Sequence, residues 1–344
     1  AMRPSIPLAR SLSVIATSLA AAACPSRPSA PPPPASASAA TRAPAASTSA
    51  RPTPSASAAS PAASAAPAAK ADAARYSWLA DSSRSTVPAA TTLVDAIPTP
   101  PGWERVPAAA GSFAAWLREL PLAAPGTPVK SWRGEEVFAG DEEYVQAVVA
   151  IDVGKADLQQ SADVIIRFDA EWQWSLGRRD MTYLAATKDP LPYASYVQGK
   201  RVLAQGPHIY WVKQRDPTDP NDRGAFRDFL DTVFIWANST AVRMQSDPVE
   251  AKDLVPGDFF LQRDKTGHAL VVLDVVTKPS GERLALVAQA LTEAMSIHVL
   301  RPGRGTAWFS LNPPEPLLTP HTKEFAWADL RRLRRVEADA AGDR

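Results

Sequence analysis

Apolar and polar positions follow regular periods only from about Trp103 to Val336. There, apolar runs alternate with turn signals over roughly 230 residues, enough for one core. The spacing predicts a helix over 112–120, with Ser112 as its N-cap and Pro121 as its stop. Residues 144–153 (YVQAVVAIDV) are strongly β-branched and read as a buried strand ending at Gly154. The strongest helical pattern is 157–174, where Leu158, Ser161, Ile165, Phe168 and Trp172 share one stripe and Asp157 is a natural N-cap. A second amphipathic helix is expected over 225–237. Strands are expected at 259–261, 269–276 and 284–290, the last two joined by the turn Lys278-Pro279-Ser280-Gly281, with a shorter one at 297–300. Residues 327–336 read as a terminal helix whose Arg331, Arg332, Arg334 and Arg335 form a solvated face. No period of 20–50 residues recurs, which argues against a solenoid or propeller.

The N-terminal fifth has a different character. Residues 1–24 read as a signal peptide: Arg3 and Arg10 precede an apolar stretch too short to span a bilayer, ending in small residues at Cys24. Cys24 is the only cysteine, and its position resembles that of a lipidated cysteine in a bacterial lipoprotein signal. An ordinary secretory leader is the alternative. Residues 25–74 are almost wholly Ala, Pro, Ser and Thr without an aromatic, so they cannot bury enough surface to offset chain entropy. They are expected to form a disordered linker with a reach of roughly 40–150 Å. Residues 75–96 are expected to be a transition segment, 97–336 the globular domain and 337–344 a disordered tail.

Charge and composition remove several classes. With 37 basic against 36 acidic residues, the chain lacks the basic excess of a nucleic-acid binder, and no nucleic-acid partner is expected. One cysteine excludes a disulfide framework, and four histidines with it give no Cys/His zinc cluster. Asp258 and Asp274 with His268 are too scattered for a metal site. Neither metal nor cofactor is expected. The expected location is the cell envelope, with the membrane as a partner through a lipid on Cys24 and a cell-wall peptide as the ligand.

Five stretches together carry a family resemblance: 112–122 (SFAAWLRELPL), 150–171 (AIDVGKADLQQSADVIIRFDAE), 226–234, PGD at 256–258 with GHALVVLD at 267–274, and AQALTEAMSIHVL at 288–300. They resemble the bacterial family known as domain of unknown function 4846 over residues 97–336. That family usually has Gln-Gln-Cys-Ala-Asp where this chain has Ser161. More distantly, the layout resembles papain-like cell-wall amidases, which place a cysteine near a helix start, a histidine at a strand start and a polar residue on the next strand. The resemblance implies an α+β, papain-like fold with an antiparallel sheet packed against an N-terminal helix. It assigns Ser161 to the nucleophile position, His268 to the base, Gln289 to the third position and Gln160 to the oxyanion donor, with Gln159 equally near in sequence.

A hairpin centred between Pro279 and Ser280 would put His268 opposite Leu291 and Gln289 opposite Leu270, so that His268 and Gln289 are diagonal neighbours on one face. A serine gains less than a thiol from a helix N-terminus, because an alcohol remains protonated and needs an effective base. Three readings follow: a degenerate site that binds an amide-containing envelope ligand, an active amidase, peptidase or acyl transferase, and a scaffold in which Ser161 merely permits close packing. Asp163, Arg167 and Glu171, at i, i+4 and i+8, read as a charge ladder on the solvent or loop side. His208 and His298 have no evident partner.

Overall fold

The most β-branched stretches of the chain pair with one another, and the main sheet grows outward from them. Its strands, in chain order, are β1 (Glu104–Arg105), β2 (Val145–Val148), β3 (Ser246–Pro248), β4 (Phe259–Leu261), β5 (Ala269–Thr277), β6 (Arg283–Gln289), β7 (His298–Leu300), β8 (Phe309–Ser310) and β9 (Leu330–Leu333). The spatial order is β3-β9-β4-β5-β6-β7-β2, with β1 beside β5 and β8 beside β6, and the pairs are antiparallel. The helices that matter for the site are α1 (Phe113–Arg118), α2 (Asp163–Ser175), α3 (Arg223–Trp236) and α4 (Ser239–Met244). Four two-stranded pairs complete the α+β architecture. This computed structural model describes residues 72–81, 87–263, 267–322 and 324–335, all within one compact unit. The expected signal peptide with Cys24, nearly all of the expected linker and the expected tail lie outside these residues. Among the described residues, no helix is long and apolar enough to cross a membrane.

The sheet is buried on both faces. Ala269, Val271 and Leu273 of β5 pack in one core cluster with Ile165 and Phe168 of α2, whereas Leu270 and Val272 pack in a second with Phe260 and Phe325. That period-two division holds until a bulge between Val272 and Asp274, after which Val275 joins the second cluster and Val276 the first. At the turn the pairing is Thr277 with Arg283, one residue out of the register expected from the sequence. Beyond the bulge it is Val271 with Ala288, so the site end of the hairpin has the expected register. Asp274, at the bulge, is gripped by Arg105 at 2.6 Å and Arg118 at 2.7 Å. Arg332 holds Asp258 with two contacts, at 2.6 and 2.9 Å.

Five expectations need correction. The helix expected from Asp157 begins at Asp163, because Asp157 points its Oδ1 at the Gln160 side-chain amide and the Ala294 main-chain N–H instead of capping a helix. The strand expected at 144–153 is confined to Val145–Val148. The terminal helix is instead one short 3-10 turn, Trp327–Asp329, followed by β9. Leu330 and Leu333, three apart, suit one helical face, but in a strand they point to opposite faces and each meets a different core cluster. The intervening Arg331 donates to Ser246, and Arg332 to Asp258. The described residues of the segment 75–96, namely 75–81 and 87–96, are part of the fold rather than an approach to it. Buried Tyr76 donates to Trp116 O at 2.7 Å, and buried Trp78 to Ala150 O at 2.7 Å.

The fifth correction is the charge ladder. Asp163, Arg167 and Glu171 are all buried, since α2 is covered on its far side as well as its sheet side. Arg167 reaches Asp152 at 2.5 Å, Glu171 at 2.9 Å and Gln159 at 2.5 Å. Arg227 of α3 adds a second contact to Asp152 at 2.9 Å and pairs with Asp231, while Arg223 holds Glu171 at 2.6 and 2.9 Å. Three arginines thus face three carboxylates, the balance that buried charges require. The network ties the segment leading to Ser161 onto α2 and α3.

Candidate active site

Ser161 lies two residues ahead of α2 and is 6% exposed. The bonded series of the helix start begins with the Asp163 N–H, which donates to Gln160 O, and the Val164 N–H, which donates to Ser161 O. The amides of Ser161 and Ala162 therefore stand ahead of it, where a helix offers donors to a ligand. Ser161 Oγ is 2.8 Å from His268 Nδ1 and accepts from the Ala269 N–H at 2.9 Å. His268 Nε2 is 3.0 Å from Gln289 Oε1. An amide oxygen only accepts, so Nε2 carries the proton and Nδ1 presents its lone pair to the Ser161 hydroxyl. The sequence-derived trio of Ser161, His268 and Gln289 is thereby brought together.

Gly267 sets the approach of His268. Its φ is +57°, and an added Cβ would lie 2.2 Å from Ser239 Oγ, so both conformation and space call for glycine there. Gln159 and Gln160 separate clearly. Gln159 is fully buried against Arg167, whereas Gln160 lines the cleft, its amide nitrogen 2.9 Å from Asp157 Oδ1 and its main-chain N–H 3.1 Å from Asp163 Oδ2.

The cleft has a volume of about 330 Å³, and Asp157, Gln160, Ser161, Asp163, Asn238 and Thr292 contribute to its walls. Among the described residues, its lining includes two carboxylates and no basic side chain. Burial pushes the Asp163 carboxyl well above the ordinary carboxylate range, only partly opposed by the Gln160 N–H.

Two further histidines bear on the site. His298, unassigned from the sequence, pairs directly with Gln289 across β6 and β7, and its Nε2 is 3.4 Å from Gln289 Nε2. Burial lowers its pKa to about 4, so it is neutral at physiological pH. The cross-strand register was the signal that could have found it. His208 sits apart, exposed and 3.5 Å from Asp189. Among the described residues, no group of three His, Cys, Asp or Glu side chains could hold a metal ion.

No curated protein and no solved structure is a match for the chain. One family model does match, covering residues 93–332, and its description is "domain of unknown function (4846)". The match takes in the Ser161 turn, the His268 strand and Gln289 alike, and the chain belongs to that family.

Proposed function

We propose that this is a lipid-anchored protein of the bacterial envelope whose papain-like cleft binds a peptide or other amide-containing ligand and turns it over slowly or not at all. The observation that carries the reading is the combination of close geometry with a hydrogen-bonded chain that contains no carboxylate. A hydroxyl, an imidazole, a carboxamide and a second imidazole, this last one neutral, follow one another from Ser161 to His298. A thiol in the Ser161 position would ionise against His268 before substrate arrived. An alcohol must lose its proton during attack, and the imidazolium then formed rests on an amide where serine hydrolases place a carboxylate. The carbonyl of a bound amide would sit at the Ser161 and Ala162 amides.

Titration of the protein with a soluble cell-wall peptide, followed by calorimetry and by mass spectrometry of the peptide, tests this. Saturable binding with the peptide intact is expected, abolished by Ser161→Trp, which fills the cleft. Absence of binding would overturn the reading. The second reading, an active amidase or acyl transferase, draws on the 2.8 Å contact and the correct tautomer. Covalent labelling of Ser161 by a fluorophosphonate, together with cleavage of the same peptide, would establish it instead.

A further inference from the structure

We propose that His298 is a positioning residue that fixes which way the Gln289 amide faces, and through it the tautomer of His268. The inference rests on the reading of Ser161 and His268 as the working pair.

The two ends of a carboxamide are nearly the same size but opposite in hydrogen-bonding character. Were Gln289 reversed, its NH2 would face His268 Nε2 and require a lone pair there. The imidazole proton would move to Nδ1, and the Ser161 hydroxyl would lose its acceptor. Shape alone does not prevent this reversal. His298 does. Its Nδ1 lies 3.0 Å from Ser296 O, a carbonyl that only accepts, so Nδ1 carries the proton. The ring is neutral, which leaves Nε2 as a bare acceptor facing Gln289. Gln289 must then present Nε2–H to His298 and Oε1 to His268.

Every donor therefore points the same way: His298 to Ser296 O, Gln289 to His298, His268 to Gln289, Ser161 to His268, and Ala269 N–H to Ser161. Main-chain groups, whose polarity cannot reverse, terminate the chain at both ends. The titratable groups bearing on His298 are His268 and His321, each of which opposes a positive charge there when it is itself protonated. The Phe138 ring meets it edge-on at 5.6 Å.

The test is nitrogen-15 NMR of the imidazoles in the ligand-free protein at neutral pH, which reports which ring nitrogen is protonated. The wild type is expected to show His268 as the Nε2–H form and His298 as the Nδ1–H form. His298→Phe keeps a ring but removes the acceptor, and should raise the His268 Nδ1–H form from undetectable to a population comparable with the Nε2–H form. His298→Gln, whose Oε1 can again accept from Gln289, should return His268 to the single Nε2–H form. A purely structural role for His298 would give no such reversal and rescue. An unchanged His268 tautomer in folded His298→Phe would overturn the proposal. So would a wild-type His298 protonated at Nε2, a result that needs no variant to fold. No ligand enters the measurement, so its failure is distinct from failure of the binding experiment.

Discussion

Asp163 stands two residues from Ser161 with its carboxyl buried, without an ion-pair partner among the described residues and accepting one main-chain hydrogen bond. Burial raises its folded pKa above the unfolded value of about 3.9. A raised carboxyl favours the protonated form, so the stability it adds is present below that unfolded value and is lost as pH rises through the folded pKa. At neutral pH, where the unfolded carboxyl is ionised, this raised folded pKa costs stability. Asp163→Asn removes the charge and keeps the acceptor for Gln160. It should raise the melting temperature at pH 7, with a gain of about 0.5–2 kcal/mol. A lower melting temperature would show that the carboxylate is compensated in a way the geometry does not reveal. Ser161→Cys tests the other side of the cleft. In a fragment spanning 72–335 it would be the only thiol, and its alkylation should remain fast at mildly acidic pH, below the free thiol pKa of about 8.5. The rate should fall when His268 is also changed to Ala. The Ser161–His268–Gln289 trio was legible because its members lie on or directly ahead of elements with clear periods: Ser161 ahead of α2, His268 ahead of β5 and Gln289 on β6. His298 was not, because its role appears only once β7 is laid beside β6.

The buried arginine network shows what one-dimensional patterns conceal. Charges at i, i+4 and i+8 have the same spacing whether they meet water or a second layer of protein. The segment around Asp152 and helix α3 decide the matter for Arg167 and Glu171. Burial would push the Asp152 carboxyl up, but Arg167 and Arg227 outweigh it and hold the folded pKa well below the usual range. A depressed carboxyl stabilises the fold above its unfolded pKa of about 3.9, and that stability is lost as pH falls toward the folded value. Arg167→Ala leaves Asp152 with Arg227 alone and Gln159 without its buried donor. It should cost about 3 kcal/mol by denaturant unfolding at pH 7. The penalty should shrink as pH is lowered below about 4 and the carboxylates gain protons. A constant penalty from pH 7 to pH 3 would mean that packing, not charge, is what Arg167 supplies. The expected helix at 327–336 failed for a related reason. Leucines three apart suit one face of a helix, and they suit a strand equally well when both of its sides are buried.

At the scale of the whole molecule, the boundary of the folded unit lies earlier than the family match suggests. Tyr76 and Trp78 precede residue 93, yet both are 1% exposed and stand among the rings of Trp116, Phe113 and Phe168. A fragment beginning at residue 72 should melt in one cooperative transition, whereas one beginning at 88 exposes this aromatic cluster. Losing two large buried aromatics is worth several kcal/mol, which in a domain of this size lowers the melting temperature by roughly 10 °C. Equal melting temperatures for the two fragments would show that the N-terminal segment is an ornament on the core. The centre of the sheet was legible from its β-branched runs, whereas the short strands β1, β3, β8 and β9 were not. The early aromatics were not, because two rings beside an Ala-, Pro- and Ser-rich stretch carry no period that marks them as core.

That same segment determines how the domain would respond to a pull. Tension applied through the residues before 72 reaches the core first at Tyr76 and Trp78, whose side chains are bonded to main-chain oxygens of Trp116 and Ala150. Trp116 belongs to α1, and Ala150 follows β2 at the edge of the sheet. The load is therefore shared between two parts of the fold. Ser161 is separated from that attachment by the buried Asp152–Arg167 junction. Drag on the N-terminal side would strain the indole and phenol anchors before it disturbed the serine.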